Sequence, residues 1–147
     1  MTPKPSKRFV PIQCFLLVIY VLLGENGKEE RVTMAFTELE LKLIENTVGK
    51  MCRRRSPVHL RDEIRLAHDV AKYFVEVYEE RPGWKNRNHW TRMGIARFRY
   101  GRRTERWHLY WMRQDLKWHL YEPLSESRSL EKLVAEVDRD PHGAFFG

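Results

Sequence analysis

Between residues 41 and 51, apolar side chains recur at steps of three and four: Leu41, Ile44, Val48 and Met51. That spacing predicts an amphipathic helix with one apolar stripe. Ahead of it, Thr37-Glu38-Leu39-Glu40 has the T-x-x-E form of a capping box, with Thr37 as the cap. Behind it, Arg53-Arg54-Arg55-Ser56-Pro57 puts cations where the helix dipole favours them and a proline where the helix must stop. From Asp62 the period changes to two. Ile64, Leu66 and His68 alternate with Glu63, Arg65 and Ala67, and then Tyr73, Val75 and Val77 alternate with Phe74, Glu76 and Tyr78. Two strands joined near 69–71 are expected, antiparallel because so short a connection allows no crossover. After a turn at Arg81-Pro82-Gly83 comes a third strand over 91–100. Strict alternation there sets Ile95, Arg97 and Arg99 on one face and Phe98 and Tyr100 on the other.

The densest aromatic stretch follows, Trp107 to Pro123, WHLYWMRQDLKWHLYEP. Trp107, Leu109 and Trp111 share one strand face; His108, Tyr110 and Met112 share the other. Gln114-Asp115 breaks the run, and Trp118 and Leu120 resume it on one side. Aromatic residues suit a pleated, half-buried surface, so this is read as the central hairpin of a small sheet. Glu122-Pro123 is expected to end the sheet. A last helix, capped by Ser129, carries Leu130, Leu133, Val134 and Val137 at i, i+3, i+4 and i+7, stops at Asp140-Pro141, and leaves Ala144-Phe145-Phe146 to pack back on the body. The fold class that results is α+β: an antiparallel four- to five-stranded meander flanked by an N-terminal and a C-terminal helix.

The same stretch carries a resemblance. WHLYWMRQDLKWHLYEP, with MAFTELEL from Met34, ERPGW at Glu80 to Trp84 and the closing DPHGAFFG, resembles a bacterial family known as domain of unknown function 3024. The likeness covers Met34 to Gly147. It implies no established activity, cofactor or catalytic residue, so no functional site is carried over. Some members have a tail cysteine where this chain has Ala144, and no thiol role is expected there.

Residues 1–33 read differently from the single domain expected over 34–147. Lys4, Lys7 and Arg8 precede an apolar run, Phe9 to Leu23, that is short for a membrane span and is interrupted by Pro11 and Gln13. No small-residue cleavage site follows it. Lys28-Glu29-Glu30 can be encoded by a purine-rich, ribosome-binding-like run just upstream of Met34. The expectation is a start at Met34, with a signal or membrane anchor as the alternative. A membrane partner follows only if residues 9–23 are translated.

Two cysteines, Cys14 and Cys52, form no spaced framework, which argues against a disulfide scaffold or cysteine zinc site and fits a cytoplasmic protein. Net charge is +7. The surplus is local: residues 81–106 hold nine basic side chains against one acid, Glu105, interleaved with Trp84, Trp90, Phe98 and Tyr100. Arginines that hold phosphates beside rings that stack on bases are how single-stranded or structured nucleic acid is often bound. The bland alternative is a solvated strand face neutralised by Glu76 and Glu80. There is no Gly-rich phosphate loop, nucleophile elbow or HExxH. His108, His119 and Asp115 could meet across the hairpin to bind a metal. Asp69, Glu76 and Glu79 could serve a metal-dependent hydrolase, although the carboxylate-x-Lys such enzymes favour is missing.

The reading is a non-enzymatic module without a cofactor that binds a polyanion, nucleic acid first. Its candidate site is Arg92, Arg97, Arg99, Arg102, Arg103 and Arg106 with Trp84 and Trp90, extended by Arg53 to Arg55. The alternatives are a protein-interaction module, docking a partner or a second copy through exposed aromatics, and the hydrolase.

Overall fold

The computed structural model describes residues 36–147. The expectations for residues 1–33, for the apolar run, for the start at Met34 and for Cys14 lie outside the described residues.

Thr37 caps the first helix through both halves of the capping box. Its Oγ1 accepts from Glu40 N at 3.3 Å, and its own N–H donates to Glu40 Oε2 at 2.7 Å. α1 (Glu38–Ile44) runs through a single π turn (Glu45–Gly49) into α2 (Lys50–Arg54). The predicted stripe is the buried one: Ile44, Val48 and Met51 are each at most 1% exposed. After a short 3-10 turn (Val58–Leu60), six strands follow: β1 (Arg65–Val70), β2 (Phe74–Pro82), β3 (Trp90–Gly101), β4 (Arg106–Met112), β5 (Trp118–Leu120) and β6 (Glu126–Ser127). α3 (Leu130–Arg139) closes the fold, with Ser129 accepting from Lys132 N as its cap. β1 to β5 lie side by side in chain order, every pair antiparallel. The α+β meander is therefore the architecture.

One face of the sheet is the core. Val75, Val77, Ala96, Phe98, Trp107, Leu109 and Tyr121 are buried against Ile44, Val48 and Met51 and against Leu130, Leu133 and Val137 of α3. Phe36 stacks on Trp107 at 5.6 Å between ring centroids, and Phe145 of the tail is buried beside Tyr121 at 4.9 Å, as the tail reading expects. Apolar area removed from water this way is the main force holding helices to sheet. Among the described residues the opposite face carries no helix. From β1 to β5 its register rows include Asp69, Glu76, Arg97, Tyr110 and Leu120.

The structure corrects four details. β1 begins at Arg65, so residues 62–64 are not strand, and the reversal falls at 71–73 rather than 69–71, which leaves Tyr73 in the turn. The strand end is fixed by Ala71 N donating to Phe74 O at 2.8 Å. The sheet does not end at Pro123. β5 pairs with β4 only from Tyr110 onward, and the exposed edge at Trp107 and His108 is filled by β6, with Ser127 and Glu126 as partners. Most consequential is Ile95. The register between β2 and β3 slips, Val77 facing Ala96 while Tyr78 faces Gly94, so Ile95 is the extra residue of a β-bulge. It is 5% exposed, in the core, and does not share the face of Arg97 and Arg99. A bulge re-phases everything beyond it, because side chains alternate strictly along a strand. Arg92, which alternation would set against Arg97, thereby joins it.

Candidate anion-binding site

The helix-free face of the sheet brings Arg92, Arg97 and Arg99 into one row, and the register decides what each meets. Opposite Arg92 on β2 is Glu80, opposite Arg97 is Glu76, and opposite Arg99 is Phe74. Arg92 Nε donates to Glu80 Oε1 at 2.8 Å and its NH1 to Asp69 Oδ2 at 3.0 Å. Arg65 Nε holds the other oxygen of Glu80 at 2.6 Å, and this carboxylate is almost wholly shielded from solvent. Arg97 donates to Glu76 at 3.0 Å and lies between two rings, Phe74 at 4.5 Å and Trp118 at 4.4 Å. Its Nε is buried with no hydrogen-bond partner among the described residues. These two arginines are neutralised and stacked, so they are built into the sheet rather than offered to a ligand.

Arg102 is tied down as well. It grips both oxygens of Glu40 at 2.7 and 2.9 Å. Burial works against the charged form of Glu40, but hydrogen bonds from Arg102 and Thr37 hold its carboxyl below the usual range. Arg106 meets Glu126 at 3.0 Å. Arg53 pairs with Glu45, while Arg54 and Arg55 pair with Asp138 of α3, so they tie α2 to α3 and do not extend the patch.

Arg99 and Arg103 remain. Both are exposed, and neither meets a carboxylate among the described residues. The reason is positional. Arg99 has Phe74 on one side and His108 on the other, and Arg103 sits at the tip of the β3–β4 turn. The two border an open cleft of about 540 Å³, walled by Tyr73 of the β1–β2 turn, by Thr104, and by His108 and Tyr110 of β4. Tyr73 is 43% exposed. A Cβ at Gly101, at the base of the turn, would lie 2.6 Å from Thr104 Oγ1, so any larger residue there would have to turn the Thr104 side chain aside. The cleft thus holds two unneutralised guanidiniums beside two phenol rings.

Trp84 and Trp90 belong elsewhere. Trp90 opens β3, nine positions from Arg99, which at about 3.3 Å per residue places it roughly 30 Å away along the strand. Its ring carries the Arg65 guanidinium at 4.1 Å. Trp84 is 88% exposed in the β2–β3 loop. Neither ring can share a nucleotide with Arg103.

The carboxylates proposed for hydrolysis are not gathered. Asp69 and Glu76 face each other on the helix-free side, whereas Glu79 shares the side of Val75 and Val77 and pairs with Arg81. Asp69 is occupied by Tyr78 Oη at 3.0 Å as well as by Arg92; burial, and then the bond to Asp69, raise the Tyr78 phenol pKa. His108 and His119 lie on opposite faces of the β4–β5 ladder, so they do not converge. His119 instead bonds Asp115 at 2.8 Å and lowers the pKa of that carboxyl. Among the described residues no three His, Cys, Asp or Glu side chains come together as metal ligands. Cys52 is buried, which with nearby Glu45 pushes its thiol up to about 12, so it is no nucleophile at neutral pH.

Sequence reasoning missed Tyr73 and Tyr110, and it placed His108 in a metal site rather than in this cleft. A signal existed: if Gly101 and Arg106 close the β3–β4 turn, Arg99 must face His108 and Arg97 must face Tyr110.

The features together define a small α+β domain with a helix-free sheet face and a basic cleft at one end of it. The chain belongs to the family described as a domain of unknown function (DUF3024), whose model matches residues 36–147. No curated protein and no solved structure matches it. Among the described residues no helix is long and apolar enough to cross a membrane.

Proposed function

We propose that this domain is a non-enzymatic binding module that contacts a polyanion, nucleic acid being the class it suits best, at the Arg99–Arg103 end of its helix-free face. One observation carries the reading: among the described residues, four of the six arginines singled out by sequence are neutralised by carboxylates, and Arg99 and Arg103 are not. Unneutralised guanidiniums on an open surface keep their full attraction for phosphate. The test is titration of the full chain into labelled oligonucleotides at several salt concentrations. Two phosphate contacts on a single strand give a log–log salt slope of about −1.4. Changing Arg99 and Arg103 together to Glu should abolish binding, whereas Arg81→Gln, at the far end of β2, should not. Binding that survives the double change would sink the proposal.

A second reading rests on Trp84, whose indole is almost fully solvent-exposed. Large exposed rings are favoured anchors of protein interfaces. Self-association through Trp84 would persist at high salt and vanish in Trp84→Ala by sedimentation equilibrium; a monomer under all conditions overturns it.

A further inference from the structure

The cleft has more in it than charge. Among the described residues, its two arginines without a carboxylate partner stand beside Tyr73 and Tyr110, on the sheet face opposite the one packed against the helices. A phosphate needs only the guanidiniums. The exposed Tyr73 ring and the half-buried Tyr110 ring add a surface for a planar group, and a base offers a planar face only when it is not stacked inside a duplex. The wall carrying Arg103 is also held down. Both terminal guanidinium nitrogens of Arg102 are bound to Glu40 of α1, Arg102 lies 5.0 Å from the Tyr100 ring centroid, and Tyr100 packs on Trp107 at 4.9 Å. The β3–β4 turn is thus fixed as one side of a cleft and is not a free ribbon of the kind that enters a major groove. A volume of about 540 Å³ lies in the range of small-ligand clefts and suits one nucleotide unit, not the width of a double helix.

Building on the polyanion reading, we propose that the cleft selects single-stranded nucleic acid, holding one backbone phosphate at Arg99, the next at Arg103, and one base against Tyr73 and Tyr110. Phosphate and ring face are common to RNA and DNA, so the chemistry admits either strand and excludes the paired form.

The experiment uses the full chain and three fluorescein-labelled probes of equal length and matched sequence: single-stranded RNA, single-stranded DNA and a blunt duplex. Fluorescence anisotropy is read at one low salt concentration, with salt series on the tightest probe. At least one single strand should bind ten-fold or more tightly than the duplex. Tyr73→Ser should weaken single-strand binding about ten-fold with the salt slope unchanged, and Tyr73→Phe should restore it, since stacking needs the ring and not the hydroxyl. Arg99→Gln should instead flatten the salt slope by about 0.7. Tyr73 lies in an exposed turn, so equal unfolding midpoints for its two variants would exclude a folding defect. Equal affinity for duplex and single strands, with no response to Tyr73→Ser, would overturn the single-strand inference and leave the polyanion reading standing. Failure of all three probes to bind in a salt-dependent way would overturn both.

Discussion

Glu80 and Arg92 sit directly opposite each other on β2 and β3, and Arg92 Nε donates to Glu80 Oε1 at 2.8 Å. Arg65 takes the second oxygen, so a carboxylate that is 3% exposed is shared by two guanidiniums. Each guanidinium is in turn covered by a ring, Arg65 by Trp90 and Arg92 by Tyr78. Removing the carboxylate takes the shared partner from both guanidiniums, leaving Arg92 with Asp69 alone and two neighbouring cations that solvent does not fully screen. Glu80→Ala should therefore cost about 3 kcal/mol in urea unfolding. Glu126→Ala, at the exposed Arg106 pair, should cost under about 1 kcal/mol. Similar losses at both positions would mean that burial is not what makes the first pair matter.

Gly94 is where Trp118 comes down onto the sheet. A Cβ added at Gly94 would lie 2.7 Å from Trp118 Cζ2 and 2.9 Å from Met112 Cε. The ring cannot move freely, because its neighbour on the same face is the Arg97 guanidinium held against it. Gly94→Ala should destabilise by about 1–3 kcal/mol through overpacking. In a Trp118→Ala background the added methyl has space, so the two changes should be non-additive by about 1 kcal/mol or more. Additive losses in a double-mutant cycle would show that the close approach is relieved elsewhere.

The fold was legible in the sequence wherever a single period ran uninterrupted. Thr37 and Glu40, the stripe at Ile44, Val48 and Met51, and the faces of β4 all follow from local spacing. Ile95 did not, because a bulge is a property of two strands together and leaves no mark on the period of one. Counting alternately back from Arg97 groups Ile95 with the arginines and sets Arg92 apart; the inserted residue reverses both assignments. The charge surplus over 81–106 was real, but sequence cannot say which arginine finds a carboxylate. That depends on register, which puts Glu76 and Glu80 opposite two of them and Phe74 opposite the third. β6 was invisible for a simpler reason: two residues carry no periodicity.

His68, on the core side of β1, is largely buried beside Glu45 of the π turn, with Nε2 at 3.5 Å from Oε2. Burial is the largest influence and lowers its pKa below the ordinary 6.5; Glu45 and Asp69 pull the other way, and Arg53 adds to the lowering. The unfolded chain therefore binds a proton more readily than the folded one. Stability from this group is complete above pH 6.5 and is lost as pH falls through the lowered folded value. Urea midpoints between pH 7.5 and 5 should fall more steeply for the natural chain than for His68→Gln. Parallel profiles would mean that His68 titrates alike in both states.

Asp140 ends α3 in the left-handed region, φ 44° and ψ 57°, where most side chains are strained. Its carboxylate also organises the tail. Oδ1 accepts from Ala144 N at 2.8 Å and Phe145 N at 3.2 Å, and Oδ2 accepts from Phe146 N at 2.8 Å. These bonds turn the chain so that Phe145 reaches the core against Tyr121. Three substitutions separate the two roles. Asn tolerates the backbone conformation and keeps one acceptor oxygen, so Asp140→Asn should cost under about 1 kcal/mol. Gly suits the backbone but loses every tail bond, and Ala loses the bonds while keeping the strain, which adds about 1 kcal/mol over Gly. The expected order of unfolding midpoints is Asp, Asn, Gly, Ala. If Gly matched or exceeded Asp, the backbone conformation alone would set the helix end and the carboxylate would contribute nothing to holding the tail.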